Sequence, residues 1–239
     1  MDYGIGGLGL YKMIRQDHPK LPLLYFSDSG EVPYGKLSKQ KLRSRLEKVF
    51  RYLTDRGAEH IVVACHSASS VVLASDRNIT GLRSQTVRAV VTGKPGSLGI
   101  IGGGRTIRSG YYRNELNKRG IRTKQRVAQQ LSILIERGEV AGQAVNDAVA
   151  EIIKPLSGCD SILLACTHYP VLSHIISSYA PGVKLIDPAE EVYRSIQWLL
   201  TSDIQGPTEF LTTGDQQLMI DAAQKAFGVV IPEARRVTF

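Results

Sequence analysis

Short apolar runs alternate with longer amphipathic segments along most of this chain. The clearest example begins with an apolar run at residues 161–164, followed by the polar residues Cys166, Thr167 and His168 and by Pro170, which opens a second apolar-periodic segment. Such a run is typical of a strand buried on both faces, and proline is tolerated in a first helical turn because its missing N–H would be unpaired there anyway. This segment therefore predicts a strand, a tight turn that carries the thiol, and a helix.

The same order of residues occurs earlier, in HIVVACHSASSVVL at residues 60–73. An apolar run again ends in Ala-Cys, His66 and Ser67 follow, and an apolar helix pattern begins. Free backbone N–H groups and the positive end of a helix dipole at such a corner favour a thiolate and can hold a carboxylate. Because ligands of open parallel sheets bind beyond the carboxyl ends of the strands, we expect Cys65 and Cys166 to flank one small ligand.

The alternation of strands and helices predicts the α/β class, with two doubly wound domains built on mostly parallel sheets. Residues 1–85 plus 190–239 are predicted to form the first domain, on the Cys65 side, and residues 86–189 the second, on the Cys166 side. The two similar corners predict a pseudo-two-fold relation between the domains, with the active site between them.

Three further segments carry local predictions. Residues 78–91 have turn character and little periodicity, which makes them a candidate crossover between the domains. Thr106 is a good N-cap for one helix over residues 105–120, which Gly120 would close. A glycine-rich turn follows Asp2, and a strand is expected before such a turn, yet only Met1 precedes it.

Composition excludes several classes of protein. Nowhere do eighteen apolar residues run together, and no charged start leads into an apolar stretch, so we expect a cytoplasmic protein with no membrane partner. The three cysteines are too few for a disulfide scaffold and are expected to be thiols. No CxxC or HxxxH spacing occurs, so no metal site is expected.

The formal net charge of +8 raises the question of nucleic acid. Much of the basicity lies in residues 36–53, where apolar residues form one helical stripe and Lys or Arg fills most other positions. No nucleic-acid-binding motif accompanies this segment, so a solvated helix face is the favoured interpretation and nucleic acid is not expected as a partner. A diffuse positive field would also help to collect a small anionic substrate.

The chain resembles the glutamate racemases of bacteria, within the aspartate/glutamate racemase superfamily. The matching segments, in the family's order along nearly the whole chain, are DYGIGGL, YFSDSGEVPYG, VVACHSAS, TIRSGYY, LIERGE, LLACTHYP, LID and TTGD. The aspartate-type relatives usually have a glutamate where His168 stands, so the histidine favours glutamate as substrate. The resemblance implies a homodimer that interconverts L-glutamate and D-glutamate without a cofactor and supplies D-glutamate for peptidoglycan.

The family's reaction removes a proton from one face of Cα and delivers another to the opposite face, so it needs one thiolate and one thiol. By resemblance, Cys65 and Cys166 are that pair, and their roles exchange with the direction of turnover. Asp2 is implied to assist Cys65, while His168, with Glu136 nearby, is implied to assist Cys166. The third cysteine lacks a polar turn after it and is interpreted as a small buried hydrophobe.

The resemblance also implies the residues that bind substrate. Ser67 and Thr167 would hold the α-carboxylate through hydroxyl and backbone N–H groups. The other implied substrate-binding residues are Tyr3, Pro33, Tyr34, Gly35, His66 and Thr106.

Three of these positions depart from the family pattern: Tyr3 stands where the family has serine, His66 where it has asparagine, and Ser67 where it has threonine. If the His66 ring contacts substrate, activity should carry an extra titration at about pH 6 to 7.

Two alternatives stay open. The chain could be an inactive or moonlighting relative that binds an amino acid or a protein, or it could catalyse another cysteine-dependent reaction of the superfamily, such as hydantoin racemisation or decarboxylation.

Overall fold

The fold is that of a computed structural model, which describes residues 1–73, 75–201 and 204–239. The strands are β1 (Leu23–Ser27), β2 (Ile61–Val62), β3 (Ile79–Thr80), β4 (Ser97–Gly102), β5 (Arg122–Val127), β6 (Ser161–Ala165), β7 (Lys184–Ile186), β8 (Thr208–Thr212) and β9 (Arg235–Arg236). The helices are α1 (Leu8–Asp17), α2 (Lys39–Asp55), α3 (His66–Ser69), α4 (Arg83–Gly93), α5 (Gly104–Arg108), α6 (Tyr111–Asn117), α7 (Gln129–Glu136), α8 (Gln143–Ile153), α9 (Ser173–Tyr179), α10 (Ala189–Ile196) and α11 (Gln216–Ala222).

Every ladder between these strands is parallel, which confirms the α/β class with parallel sheets. One sheet has the strand order β1-β8-β9, a short pair joins β2 and β3, and the largest sheet has the order β5-β4-β6-β7. The strands that precede Cys65 and Cys166 therefore belong to different sheets. The predicted domain boundaries near residues 85 and 190 stay predictions.

The first two residues take the place of the strand expected before the glycine turn. The Met1 nitrogen donates to the carbonyl of Val62 at 2.8 Å, and the Met1 carbonyl accepts from Ala64 at 2.9 Å. On the other side, Asp2 donates to the carbonyl of Phe26 at 3.0 Å and its carbonyl accepts from Asp28 at 3.1 Å. This short stretch thus joins the β2-β3 pair to β1 and extends the layer, with Asp2 at its carboxyl end.

The helical segments that follow Cys65 and Cys166 differ in length. All residues of β6 are buried, as predicted, and the chain then passes through a 3₁₀ turn at Tyr169–Leu172 into α9. After Cys65, however, α3 lasts only four residues and residues 70–73 leave the helix. The prediction of an apolar helix through this segment was wrong, because three serines at residues 67, 69 and 70 turn their hydroxyls to nearby backbone or polar groups rather than continuing an apolar face.

The turn character predicted for residues 78–91 was wrong, since the segment forms β3 and most of α4, while its role as a crossover between domains stays a prediction. Its periodicity is hidden because the buried face of α4 carries Gln85 and Thr86 beside Val87 and Val90. The fully buried Thr86 hydroxyl donates to the carbonyl of Leu82 at 2.7 Å, which satisfies a polar group that the pattern places on the surface.

Residues 105–120 form two helices instead of one. Gly110 adopts φ +66°, in the left-handed region, and separates α5 from α6. Thr106 lies inside α5, whose N-cap is Gly103, so the predicted capping role of Thr106 was wrong. From this position in α5, the Thr106 hydroxyl oxygen lies 3.3 Å from that of Ser67.

The hydrophobic interior follows the predicted stripes where these are strong. In α2, Ser38 caps the helix by accepting from Lys41, and the predicted apolar stripe of the basic segment is buried. That buried stripe comprises Leu42, Leu46, Val49, Phe50 and Leu53. A separate core cluster contains Ile5 and Phe210 together with Leu131 and Leu164. Side chains of the β1-β8-β9 sheet and of the β5-β4-β6-β7 sheet therefore pack against one another. Among the described residues, no helix is both long and apolar enough to cross a membrane.

Candidate active site

Cys65 lies at the end of the strand that continues β2, with extended backbone angles at the N-cap of α3. Its side chain is buried, at 7% exposure, and the carboxyl of Asp2 lies in hydrogen-bond reach of it. Burial, and then the charge of Asp2, raise the pKa of Cys65 well above its ordinary value. In the protein without substrate this sulfur is therefore a thiol near neutral pH.

Asp2 is fully buried and its carboxylate is held from two directions. One oxygen accepts from the backbone N–H of Tyr3 at 2.6 Å, and the other accepts from the Thr167 hydroxyl at 2.9 Å. Burial raises the pKa of Asp2, while the charge of His168 and these hydrogen bonds oppose the rise. A carboxylate with a raised pKa is a stronger base, which suits it to accept a proton from a neighbouring thiol.

Cys166 lies at the second corner beside an imidazole and a carboxylate. Its sulfur is 3.5 Å from Nδ1 of His168, and Nε2 of the same ring makes a short contact with the Glu136 carboxylate. Burial lowers the pKa of His168, but the negative charges of Glu136 and Cys166 outweigh burial and raise it well above the ordinary range. The sulfur of Cys166 therefore has a positively charged ring as its neighbour.

The glycine turn after Asp2 lets the backbone pass between these groups. A methyl group added at Gly4 would overlap the Glu136 carboxylate, and one added at Gly6 would overlap Thr167 and the His168 ring. Between these glycines, Ile5 donates its backbone N–H to Glu136 at 2.8 Å. The turn thus brings Asp2, on the Cys65 side, against the residues that surround Cys166.

Four of the eight predicted substrate-binding residues lie in two places. Ser67, Thr106 and Thr167 present hydroxyls between the two corners, with Thr167 bound to Asp2 and Ser67 next to Thr106. Pro33 lies with Glu136 in the wall of a cavity of about 220 Å³.

Tyr34 and Gly35 are each held by a residue that the sequence analysis did not single out. The buried Tyr34 hydroxyl donates to Asp28 at 2.5 Å, and Asp28 also accepts from the Arg45 guanidinium. The carbonyl of Gly35 accepts from Arg108 at 2.9 Å. Asp28 could have been identified from the sequence as a polar residue directly after a strand, where ligands bind in parallel sheets. No local sequence feature indicates a role for Arg108.

Tyr3 packs against the loop that follows β1 and carries Tyr34. Its hydroxyl donates to the carbonyl of Glu31 at 3.1 Å, and its ring meets that of Tyr34 edge to face at 5.3 Å. It also lines the cavity of about 220 Å³ with Pro33 and Glu136. The added bulk relative to serine is therefore accommodated by the loop that follows β1.

His66 has a different environment from the one expected. Its Nδ1 is 2.7 Å from the Tyr112 hydroxyl, and the ring is buried at 3% exposure. Burial lowers the pKa of His66 to about 3. The extra titration at about pH 6 to 7 was expected only if this ring contacts substrate. It stays a prediction, which the lowered pKa of the buried ring does not favour. The ring also lines a second cavity, of about 370 Å³, with Gly6 and Thr167.

A sequence model described as Asp/Glu/Hydantoin racemase matches residues 15–196, which is most of the chain. The chain belongs to this racemase family. Among its relatives, glutamate racemase of Ectopseudomonas mendocina is 32% identical over 236 residues, covering 91% of this chain and 89% of the relative. Glutamate racemase of Aquifex aeolicus is 29% identical over 223 residues, covering 90% of this chain and 88% of the relative.

Solved structures of racemases share the fold over the whole chain. Glutamate racemase isoform RacE1 from Bacillus anthracis superposes with a TM-score of 0.89 at 26% identity, covering 100% of this chain and 96% of the other. Glutamate racemase from Thermus thermophilus, in complex with β-chloro-D-alanine, superposes with a TM-score of 0.86 at 28% identity, covering 100% of this chain and 95% of the other. The racemase fold is therefore present over the full length of the sequence.

Proposed function

We propose that this racemase interconverts L-glutamate and D-glutamate by proton transfer between two cysteines, without a cofactor. The observation that carries the proposal is the pair of thiols at equivalent strand ends of two sheets, each with its own partner for proton transfer. Cys65 has Asp2, and Cys166 has the His168–Glu136 pair. The relatives described above are named glutamate racemases, which supports glutamate as the amino acid.

The two sulfurs have different surroundings, and each direction of the reaction requires one thiolate and one thiol. Burial and the charge of Asp2 raise the pKa of Cys65 and keep it a thiol. The positive His168 ring lies 3.5 Å from the Cys166 sulfur, which acts as the thiolate in this proposal. The thiolate removes the Cα proton from one face of the amino acid, and the thiol delivers its proton to the other face. In the reverse direction, Asp2 accepts the Cys65 proton, His168 donates a proton to Cys166, and the roles of the two sulfurs exchange.

The substrate's α-carboxylate lies between the corners in this proposal. Ser67 and Thr167 hold it through their hydroxyls and neighbouring backbone N–H groups, close to both sulfurs. Thr106, beside Ser67, completes the set of hydroxyls on this side. The Tyr34 and Gly35 turn forms the opposite wall, supported by Asp28 and Arg108.

The direct test is to incubate the protein with L-glutamate in heavy water and follow the Cα proton by NMR. Deuterium should enter Cα of both enantiomers with no added pyridoxal phosphate or metal, and a chelator should not slow it. A requirement for pyridoxal phosphate would contradict the two-thiol mechanism. Absence of exchange with every dicarboxylic amino acid would favour a binding protein instead.

Single cysteine variants test the two faces separately. Cys65→Ser and Cys166→Ser should each abolish racemisation, because a hydroxyl is far too weak an acid to replace the thiol. Each variant should still eliminate chloride from one enantiomer of a β-chloro amino acid, and the two variants should prefer opposite enantiomers. Cys159→Ser is the matched control and should behave like the parent. If both site variants prefer the same enantiomer, the sulfurs do not lie on opposite faces.

The biological setting belongs to the same proposal. D-glutamate made by this reaction supplies peptidoglycan synthesis in the bacterial cytoplasm, and the protein acts as a homodimer. The family resemblance supports these statements. Light scattering at micromolar concentration would test the dimer, with a monomer mass as the contradicting result.

A further inference from the structure

The carboxylate of Asp28, directly after β1, is fully buried and accepts hydrogen bonds at both of its oxygens. One oxygen accepts from the Tyr34 hydroxyl at 2.5 Å and from Nε of Arg45 at 2.9 Å. The other accepts from Nη2 of Arg45 at 2.6 Å and from the Thr213 hydroxyl at 2.9 Å. A carboxylate offers about four lone-pair sites, and these bonds use them. Asp28 therefore acts on its neighbours in the protein and not on a substrate.

Arg45 supplies the positive charge that compensates this buried carboxylate. Most basic residues of α2 are exposed, but the Arg45 side chain turns inward and is only 14% exposed. Its guanidinium binds both oxygens of Asp28, the two-pronged geometry that arginine offers and lysine does not. The Phe239 ring covers the guanidinium, with its centroid 4.6 Å from the central carbon. Arg45 is thus held in one position against Asp28.

The Tyr34 hydroxyl is the point at which Asp28 acts on the predicted substrate-binding turn. The Tyr34 side chain is buried, at 1% exposure. Burial, and then the charge of Asp28, raise the pKa of Tyr34 well above its ordinary value, so the hydroxyl keeps its proton. A tyrosine hydroxyl has one hydrogen to donate, and Asp28 receives it. This hydroxyl therefore does not donate to a substrate carboxylate, and its role is to hold the turn in place.

We infer that Arg45 is a positioning residue for substrate binding, which acts through Asp28 on the Tyr34 hydroxyl. The inference rests on the proposed function, which makes the turn of Tyr34 and Gly35 one wall of the glutamate site. The bonds to Asp28 fix this turn at Tyr34, and Arg108 fixes it at Gly35. A wall that is fixed in advance loses little conformational entropy when a substrate binds, so loosening the wall weakens binding.

Arg45→Met tests the inference by removing the guanidinium while keeping most of the side-chain volume. The KM for glutamate should rise roughly 5- to 30-fold, the effect of losing a hydrogen bond to a charged group, with kcat changed much less. Arg51→Met is the matched control, because Arg51 is exposed on the same helix and its loss removes the same charge. It should keep the parent KM. Arg45→Lys, which keeps the charge without the two-pronged geometry, should give an intermediate KM and replaces Arg45→Met if that variant folds poorly.

Tyr34→Phe distinguishes positioning from general stabilisation, because it removes only the hydroxyl that binds Asp28. If Arg45 acts through this hydroxyl, the double variant Tyr34→Phe/Arg45→Met should have a KM within about twofold of the higher single-variant value. A KM that reflects the product of the two separate increases would overturn this inference alone. So would equal KM values for Arg45→Met and Arg51→Met in a parent that racemises glutamate, even if Arg45→Met melts at a lower temperature. A parent that does not racemise glutamate would overturn the proposed function and this inference together.

Discussion

At the scale of single residues, the two thiols differ in access and in charge environment although their sequence motifs are alike. Cys65 is buried beside a carboxylate, whereas Cys166 is partly exposed and lies beside an imidazolium. The pair is therefore chemically asymmetric before any substrate binds. This asymmetry makes measurable predictions about reactivity and about pH.

Iodoacetamide should label Cys166 before Cys65 near neutral pH, because the alkylating species is the thiolate and only Cys166 has both access and a cationic neighbour. We expect the rate at Cys65 to be at least about tenfold lower. Peptide mass spectrometry over time measures both rates in one sample. Cys159, buried and with a raised pKa, is an internal reference for a slow thiol. Faster labelling of Cys65 would contradict the assignment.

Glu136→Gln should lower the free energy of unfolding in a pH-dependent way. The folded-state pKa of His168 is raised above its unfolded value of about 6.5, so this stabilisation is fully present below about pH 6.5 and is lost as pH rises through the folded-state pKa. We expect the parent to exceed the variant by roughly 1 to 3 kcal/mol at pH 6, and by less at pH 9. The variant keeps the acceptor for Ile5, so the change reports mainly on charge.

Urea unfolding at the two pH values measures this difference. Glu139→Gln is the control, since Glu139 is exposed shortly after the same helix, and it should show little change at either pH. A stability difference that grows between pH 6 and pH 9 would show that Glu136 does not hold a charged His168.

At the scale of elements, the glycine turn between Asp2 and α1 is the segment on which both corners depend. Gly4 and Gly6 have no positive φ angle, so backbone conformation does not require glycine there. Glycine is required because a larger residue would overlap side chains around Cys166. Glycines in such a turn usually let the backbone approach a ligand. Here its backbone instead lies against Glu136, Thr167 and His168.

Gly6→Ala should reduce activity at least about 100-fold and cost about 1 to 3 kcal/mol of stability, because the added methyl group overlaps Thr167 and His168. Gly9→Ala is the matched control within the same region. Its methyl group would meet only Phe227, at 3.9 Å, and alanine is favoured over glycine in a helix, so stability should rise by up to about 1 kcal/mol. Thermal unfolding and racemisation assays measure both variants. Similar activities for the two variants would contradict the close packing at Gly6.

At the scale of the whole molecule, the site depends on contacts between elements of different sheets. Asp2, next to β1, accepts from Thr167, which follows β6. On the opposite wall, Arg108 of α5 donates to Gly35, and Arg105 donates to Ser70 and to the carbonyl of Leu37. These bonds hold the loop with Tyr34 and Gly35 against the sheet that carries Cys166.

Arg108→Met should raise the KM for glutamate several-fold while the melting temperature changes little. The side chain is largely exposed, so its removal mainly frees the carbonyl of Gly35 and loosens one wall of the site. Arg113→Met, at an exposed position of α6, is the control for the loss of one positive charge. Equal KM values for the two variants would show that general charge, and not the bond to Gly35, matters.

The sequence by itself determined the two cysteine corners, the parallel α/β class and the buried stripe of α2. These features are local, because a strand buried on both faces, a polar turn and an amphipathic helix each leave their pattern within a short stretch. The resemblance added the roles of Asp2, His168 and Glu136, and the structure brings these side chains together. Their catalytic roles stay predictions until the variants are measured.

The tertiary structure alone decided the features that depend on distant neighbours. Examples are the buried polar face of α4, the helix break at Gly110 and the burial of His66 against Tyr112. The periodicity of apolar residues does not encode any of them. No element was predicted for β5, whose exposed Arg and Lys side chains suit the edge of a sheet. The bond between Asp2 and Thr167 joins residues 165 positions apart, and such a contact exists only once the two sheets have packed together.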